Sequence, residues 1–383
     1  MMHTGEDENE MLMVSIIINN YNYGRFLKDA IDSAIQQTYS PIEVIVVDDG
    51  STDASRKVIE AYGNKIIPVF KENGGQASSL NKGFQISKGQ IVIFLDADDY
   101  LTLETVQKVV DSMQDPNIVK VHWLLLKIDH QNNLTGETLP DDKLSEGNLR
   151  EQVIQLGPSK CGGPPNSPPT SGNAWSRNFL HKVLPIPEDV FKGGADNYLF
   201  VLAPLFGKIK KINEPLGFYR VHGDNNTLKP DYMNTFFNRY EECCNALSYH
   251  LTEQGVRIDP TTWPRDHWYH LLKIDIDTIV EIVPPADTFI LVDENHWMTG
   301  DSIQGRHRIL FTEKNGIYWG PPINDEAAIV ELEQDRQKGA NYIVFTWPTF
   351  WWLDHFDKFH DHLKSNYNCV MQNDRLVIYN LTN

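Results

Sequence analysis

Short apolar runs alternate with amphipathic segments along the first hundred residues of the chain. The runs predict strands at 14–18, 42–47, 66–70 and 90–95. Apolar residues at spacings of three and four predict a helix at 26–35. Further helices are expected from the possible caps Ser51 and Asp53 to about residue 61, at 76–87 and at 103–113. Pro68 indicates that the third strand is short or lies at an edge. This alternation predicts an α/β fold, a mostly parallel sheet with helices on both faces.

Acidic residues follow two of these strands directly. Asp48 and Asp49 come after the second strand, and Asp96-Ala97-Asp98-Asp99 spans the end of the fourth. Ionised carboxylates are costly to bury unless they are paired or bound to a cation, and dense oxygen ligands suit Mg²⁺ or Mn²⁺. Ligands also bind beyond the carboxyl ends of strands in open α/β sheets. The alternative is an acidic turn in which Asp99 or Thr102 caps the next helix.

Charge and composition exclude several classes of function. The 383 residues carry a formal net charge of −18, which disfavours nucleic acid and anionic lipid as partners. No run of 18 apolar residues occurs, so no transmembrane helix is predicted. The spacing of the four cysteines fits neither a zinc site nor a disulfide framework, and we expect a reduced, cytoplasmic protein with a disordered tail at 1–12. Neither G-x-G-x-x-G after a strand nor a P-loop is present.

Three later segments carry further candidate chemistry. A strand is predicted at 119–128, followed by a Gly- and Pro-rich segment at 157–173 that is either a spacer or a loop reaching over an active site. We favour the loop. Asp196 follows Gly193-Gly194 and opens an apolar helix through about residue 206. An aspartate there is either a helix cap or a catalytic group, and the two roles are compatible.

The last third of the chain predicts a second unit. Helices at 231–283 form a linker, and Pro284-Pro285 marks the start of a C-terminal α/β domain at 284–383. Strands are expected at 288–292 and 342–345, helices after Asn324 and at 353–364, and a hairpin at 368–379. The aromatic residues of 347–352 could stack on sugar rings or meet a membrane interface. A packed corner is the alternative that we favour. The Asp and His residues at 354–362 are interpreted as a solvated surface.

Four motifs in order resemble a family 2 glycosyltransferase of the GT-A fold. They are Ser15 to Asn22, Glu43 to Asp53, Asn73-Gly74-Gly75 with Asn81-Lys82-Gly83, and Asp96-Ala97-Asp98-Asp99. The resemblance covers roughly 13–225 and implies a transferase domain at 13–230. At the segment before Asp196, family members often carry Glu-Asp, whereas this chain has Ala195 in place of the Glu.

The resemblance also implies a role for individual residues. Tyr21 would stack on the nucleotide base, and Asp49, with Asp48, would hydrogen-bond it. Asp96 would contact the ribose and Asp98 a divalent metal, Mn²⁺ or Mg²⁺, on the diphosphate. The remaining implied positions are Asn19, Gly75, Asn81 and Ala97 for the nucleotide, His222 for the metal, Asp99 and Arg220 for phosphate or support, and Asp196 as catalytic base.

The expected function is therefore metal-dependent, inverting transfer of a sugar from a nucleotide-diphosphate donor, with UDP-sugar favoured. The acceptor would be a hydroxyl of a glycan or a lipid-linked glycan in surface polysaccharide synthesis, at the inner face of the membrane. Peripheral membrane contact stays open. Two alternatives remain. A sugar-nucleotide pyrophosphorylase would need a basic, Gly-rich loop that residues 19–24 do not supply. A non-catalytic glycan-binding protein would use the C-terminal half.

Overall fold

The computed structural model divides the chain into two compact units. It describes residues 11–140, 144–159, 167–223, 232–263, 268–294, 297, 302–314 and 317–382. The first unit holds the described residues within Met1–Asn225 and Asn238–Pro264, and the second those within Asn226–Phe237 and Arg265–Asn383. The predicted tail, up to residue 10, and the middle of the Gly- and Pro-rich segment, 160–166, lie outside the described residues.

The first unit is built on one large sheet whose first four strands are parallel. These strands are β1 (Val14–Asn20), β2 (Ile42–Asp48), β3 (Ile67–Phe70) and β4 (Ile91–Asp96). They are followed by β5 (Tyr100–Leu101), β6 (Ile118–Ile128), β7 (Leu134–Leu139), β8 (Asn173–Ser176) and β9 (Lys208–Arg220). The order is β3-β2-β1-β4-β8-β6-β9-β5, and β7 pairs with β6. The edge position of β3 confirms the prediction from Pro68.

Helices cover both faces of this sheet, as the alternating pattern predicts. They are α1 (Leu27–Ile35), α2 (Ser55–Glu60), α3 (Gln76–Ile86), α4 (Thr105–Ser112), α5 (Arg150–Leu156), α6 (Arg177–Val183), α7 (Asp196–Phe206) and α8 (Tyr232–Glu253). Side chains alternate along β1, so Ile16 packs with Leu27 of α1 while Ile17 packs with Leu80 of α3. The strands are therefore buried on both sides, which explains their continuous apolar runs.

The second unit contains a six-stranded sheet of order β11-β12-β10-β15-β17-β16 and a separate two-stranded ribbon. Its strands are β10 (Thr288–Val292), β11 (Ser302–Ile303), β12 (Arg306–Leu310), β13 (Glu313–Lys314), β14 (Ile317–Tyr318), β15 (Ala340–Thr346), β16 (Asn368–Gln372) and β17 (Leu376–Asn380). Its helices are α9 (Trp268–Ile282), α10 (Asp325–Gln337), α11 (Trp351–His355) and α12 (Asp357–Asn366). Asn324 caps α10 by accepting a hydrogen bond from the amide of Ala327, as predicted.

Three details differ from the sequence-based expectations. The helix expected at 353–364 is two helices, α11 and α12. The segment at 231–283 is divided by its packing, because α8 joins the core of the first unit and α9 that of the second. Its role as a domain linker stays a prediction. The capping alternative for Asp99 and Thr102 is wrong, since Glu104 precedes α4 and no side chain caps it.

Candidate functional site

The carboxyl ends of β1, β2 and β4 bring the predicted acidic residues to one edge of the sheet. In the parallel register Asn20 is paired with Asp48, and Asn19 with Asp96. Asn20 Nδ2 donates to Asp48 Oδ1 at 2.8 Å, and Asn19 Nδ2 donates to Asp96 Oδ1 at 2.9 Å. The two asparagines after the first strand therefore orient the first acid of each motif.

Asp49 is held by the loop before α3. Its carboxylate accepts hydrogen bonds from the amides of Gly74 and Gly75, at 3.0 and 2.7 Å, and from the ammonium of Lys71. Gly75 has a φ of +88°, and a Cβ there would lie 2.7 Å from Lys192 Cα, so only glycine fits. Asp49 thus ties the Asn73-Gly74-Gly75 motif to the end of β2.

Tyr21 offers an aromatic surface at the same edge. Its side chain is 47 % exposed, in contrast to Asp48 and Asp49, which are buried. Asp48 is oriented by Asn20 and accepts a hydrogen bond from the amide of Ser51 at 3.2 Å. The edge therefore combines one accessible ring with two fixed acids.

The acids after β4 lie in three different environments. Asp96 is partly buried, and burial, followed by the charge of Asp98, raises its pKa to about 7, while hydrogen bonds from Asn19 and Gln76 oppose the rise. Burial and the charges of Asp98 and Asp96 also raise the pKa of Asp99 well above its ordinary range. Asp98 Oδ2 lies 3.0 Å from His222 Nε2. Crowded acids of this kind would be relieved by a bound cation.

Asp98 and His222 are the pair that could share a cation. Carboxylate oxygen and imidazole nitrogen are both donors that Mn²⁺ accepts. In the described part of the chain no group of three or more His, Cys, Asp and Glu side chains is arranged to hold a metal ion. A two-residue donor set fits ions that complete their shell with water and substrate phosphate rather than with a protein cage.

Asp99 and Arg220 support this edge from within. Asp99 accepts hydrogen bonds from Ser171 Oγ at 2.7 Å and from the amide of Arg220 at 2.9 Å. Arg220 is 1 % exposed, and its guanidinium donates to the backbone oxygen of Asp98 at 2.8 Å, to Asp29 at 2.9 Å and to Asn132. The guanidinium is thus directed at protein acceptors in this structure, and a contact of Arg220 with phosphate stays a prediction.

Asp196 is the first residue of α7, and Ala195 occupies the capping position, so the interpretation of Asp196 as a helix cap is wrong. Its Oδ2 accepts a hydrogen bond from Thr170 Oγ1 at 3.2 Å. Burial raises the pKa of Asp196, while Thr170 and the positive charge of Arg239 oppose the rise. The partial positive charge at the start of the helix would by itself have lowered the pKa of Asp196.

Gln76 joins the donor acids to Asp196. Its Nε2 donates to Asp96 Oδ1 at 3.2 Å and to Thr170 Oγ1 at 3.3 Å, and its Oε1 accepts from the amide of Ala195 at 3.0 Å. Thr170 then donates to Asp196. We call the series Asp96, Gln76, Thr170 and Asp196 the carboxamide bridge. Its direct contact between Gln76 and Thr170 joins residues 94 positions apart in the sequence.

Several residues of this region carry no sequence signal that identifies them. Gln76, Thr170 and Ser171 are common polar residues, and only the proximity of Gln76 to the Gly-Gly motif and the position of Thr170 and Ser171 in the Gly- and Pro-rich segment could have indicated them. Thr170 and Ser171 place the end of that segment against Asp196 and Asp99, which agrees with the loop interpretation.

Lys120 is a further buried cation that the sequence does not reveal. It is fully buried on β6, its ammonium lies 3.3 Å from Ser167 Oγ, and the ring of Phe200 is 4.2 Å away. Burial lowers the pKa of Lys120 to about 7, although the negative charge of Asp196 acts to raise it. It therefore lies within electrostatic reach of the candidate base.

Two predicted nucleotide positions have other contacts. Asn81 Nδ2 donates to the carbonyl of Ile186 at 2.9 Å, and its Oδ1 accepts from the amide of Ile186 at 2.8 Å. Ala97 is 1 % exposed and belongs to the core beneath the acids. Both residues shape the site's surroundings in this structure, and their contact with a nucleotide stays a prediction.

Comparisons with known proteins agree on one family. A family model described as glycosyl transferase family 2 matches residues 15–152. The chain is 40 % identical over 222 residues to an uncharacterized glycosyltransferase of Nostoc sp., covering 57 % of this chain and 67 % of that protein. It is 37 % identical over 146 residues to an uncharacterized glycosyltransferase of Rickettsia typhi, covering 38 % of this chain and 46 % of that protein. The chain therefore spans less than half of the second relative.

Solved structures give more distant likenesses. TarS 1–349 of S. aureus in complex with UDP is 18 % identical, with a TM-score of 0.45, and the match covers 63 % of this chain and 72 % of that one. The mannosyltransferase PcManGT from Pyrobaculum calidifontis, in complex with GDP-Man and Mn²⁺, is 17 % identical, with a TM-score of 0.43 and coverage of 71 % and 76 %. None of the helices in the described ranges has the length and apolar character needed to span a bilayer.

Proposed function

This chain belongs to glycosyl transferase family 2 and is a glycosyltransferase, and we propose that it transfers the sugar of a UDP-sugar, with inversion, to a hydroxyl of a glycan or lipid-linked acceptor. The donor, the acceptor and the role in surface polysaccharide synthesis at the inner face of the membrane rest on analogy with the family. The argument from this chain's own residues concerns how the site handles charge and protons.

The carboxamide bridge is the observation that carries the proposal. A transferase must hold the donor's leaving group and the acceptor's proton acceptor in a fixed relation, because misplacement of the reacting atoms is costly. The bridge ties Asp96, on the donor side, to Asp196 through the two hydrogen bonds of Gln76 and the hydroxyl of Thr170. The two acids are thereby held in one network of hydrogen bonds that passes through Gln76 and Thr170.

Asp196 is assigned the role of general base. It would accept the proton of the acceptor hydroxyl as that oxygen attacks the anomeric carbon opposite the diphosphate. Burial raises its pKa, which moves the carboxylate towards the range in which proton transfer is most effective. The hydrogen bonds from Thr170 and from the amide of Asn197 orient the carboxylate.

The donor would lie along the edge formed by β1, β2 and β4. Tyr21 supplies the exposed ring for the base, while Asp49 fixes the loop of Gly74 and Gly75 beside it. A divalent ion held by Asp98 and His222 would supply Lewis-acid neutralisation of the leaving diphosphate. The 3.0 Å separation of Asp98 Oδ2 and His222 Nε2 and the raised pKa of Asp96 support that assignment.

Replacement of the proposed metal ligand tests the donor site. Asp98→Asn removes the charge that would hold the cation, so Mn²⁺-dependent UDP binding and UDP release from UDP-sugars should both be lost. The measurement is UDP titration by calorimetry with and without Mn²⁺, followed by an assay of UDP release. Asp111→Asn, at an exposed position of α4, is the matched control. Wild-type activity with unchanged Mn²⁺ dependence in Asp98→Asn would contradict the assignment.

A further inference from the structure

The second unit has its own polar and aromatic edge where parallel strands end. β10 lies between β12 and β15 and is parallel to both. Asp293 and Glu294 follow β10 directly, and the aromatic segment 347–352 follows β15. Because ligands of open α/β sheets bind beyond the carboxyl ends of the strands, this edge is where a ligand of the second unit is expected.

Glu294 organises two indoles at this edge. Its Oε1 accepts hydrogen bonds from Trp351 Nε1 at 3.0 Å and from Trp352 Nε1 at 2.9 Å. Trp352 is fully buried, whereas Trp351 is 42 % exposed. The polar atom of Trp351 is therefore satisfied within the protein, and the exposed part of its side chain is an apolar ring held in a fixed orientation.

Tyr318 adds a hydroxyl with unused hydrogen-bonding capacity. Its oxygen is buried and makes no hydrogen bond within the described residues. Burial, followed by the negative charges of Glu294 and Asp293, raises the pKa of Tyr318 to about 12, so the hydroxyl keeps its proton at neutral pH. A buried hydroxyl without a partner costs stability, and this hydroxyl lies within electrostatic reach of Glu294 and Asp293.

We propose that Trp351 and Glu294 form a binding site for a neutral sugar ring of a glycan. A sugar ring presents C–H groups on its face and hydroxyls around its rim. The ring of Trp351 would pack on that face, while Glu294 would accept a hydrogen bond from a hydroxyl of the rim. The residues of this site belong to the second unit, whereas the donor-site residues all belong to the first.

The charge of the edge decides between ligands that an exposed indole could meet. Glu294 is ionisable and lies at the ring itself, and Asp293 is beside it. The whole chain carries a formal net charge of −18. An anionic lipid surface or an acidic glycan would be repelled here, whereas a neutral saccharide would use the carboxylate as an acceptor.

The experiment uses the full chain and four neutral probes, namely maltotriose, cellotriose, triacetylchitotriose and mannotriose. Each is titrated by calorimetry without nucleotide or metal, so that failure of the donor-site proposal leaves the result interpretable. We expect at least one probe to bind the wild type. Trp351→Ala should weaken that binding by about tenfold or more, since exposed aromatic anchors dominate such contacts. Glu294→Gln, which removes the charged acceptor but keeps an oxygen for the two indoles, should weaken it by a smaller factor.

Val330→Ala provides the matched control, because Val330 is an apolar side chain of α10 that is 56 % exposed. It should bind as the wild type does, and circular dichroism should show every variant to be folded. Absence of binding to all four probes would overturn the proposal. So would unchanged binding in both Trp351→Ala and Glu294→Gln. Binding of phosphatidylglycerol vesicles that is lost in Trp351→Ala would instead identify a membrane contact and overturn the saccharide assignment.

Discussion

Replacement of Arg220 by methionine should destabilise the first unit while leaving the donor edge chemically complete. The side chain is 1 % exposed, its guanidinium lies 4.6 Å from the ring centre of Phe26, and it donates to the backbone oxygen of Asp98 and to Asp29 and Asn132. Methionine keeps an unbranched chain of similar volume. It removes the charge and all of these donors, so the change isolates the polar contribution.

The expected loss of stability depends on how exposed each acceptor is that loses its hydrogen bond from Arg220. A buried acceptor that loses its donor costs about 1–3 kcal/mol, which applies to the backbone oxygen of Asp98. The side chain of Asp29 is 41 % exposed, so water replaces its partner and the lost ion pair contributes only about 0–1 kcal/mol. When the lost hydrogen bond to Asn132 is added, the free energy of unfolding should fall by about 2–4 kcal/mol.

Urea denaturation followed by fluorescence and circular dichroism measures this loss. Arg25 is a matched control, because its guanidinium also lies 4.6 Å from the ring centre of Phe26 but the side chain is exposed. Arg25→Met should change the free energy of unfolding by about 0.5 kcal/mol or less. An Arg220→Met variant as stable as the wild type, with UDP affinity lowered at least tenfold, would refute the reasoning and return Arg220 to a phosphate-binding role.

Two further predictions concern the nucleotide ring and the acid sensitivity of the second unit. Tyr21→Ala should weaken UDP binding by about 1–3 kcal/mol, the scale of one base–aromatic contact. The control Tyr249→Ala, at another exposed tyrosine, should leave UDP binding unchanged. Equal UDP affinities of Tyr21→Ala and the wild type by calorimetry would show that Tyr21 does not contact the base. Burial raises the pKa of Glu333, but hydrogen bonds from Tyr367, His362 and Arg336 outweigh it and lower the pKa from 4.5 to about 2. The stability that Glu333 provides is therefore present above pH 4.5 and lost as the pH falls towards 2. Glu333→Gln should flatten that part of the stability profile, and an unchanged profile would contradict the assignment.

The sequence predicted those parts of the fold that depend on local periodicity. The continuous apolar runs of β1, β2 and β4 located the centre of the parallel sheet, because strands buried on both faces need no polar alternation. The short strand β8 was not predicted. It has four residues and lies antiparallel between β4 and β6, a position set by tertiary pairing rather than by its own pattern.

The residues of the candidate site were likewise only partly predictable from the sequence. Acids that follow a strand are visible in the sequence, so Asp48, Asp49 and Asp96 were found from their positions alone. Gln76 and Thr170 were missed, because their importance comes from a contact across 94 residues of sequence. The raised pKa of Asp196 could not be predicted from the sequence, since burial by distant segments outweighs the local helix terminus.

The variant Asp196→Asn tests the central claim most directly. The amide is nearly identical in shape and can still accept from the amide of Asn197 and meet the hydroxyl of Thr170, but it cannot take a proton from the acceptor. Asp189→Asn, an exposed aspartate on the segment before α7, is the control.

The measurement combines a melting curve, a UDP titration and a turnover assay on one preparation of each protein. The account predicts that Asp196→Asn melts near the wild-type temperature and binds UDP with near-normal affinity. Its turnover should be lower by at least about a hundredfold, the contribution expected of a general base. A folded Asp196→Asn variant with wild-type turnover would contradict the account and remove Asp196 as the base.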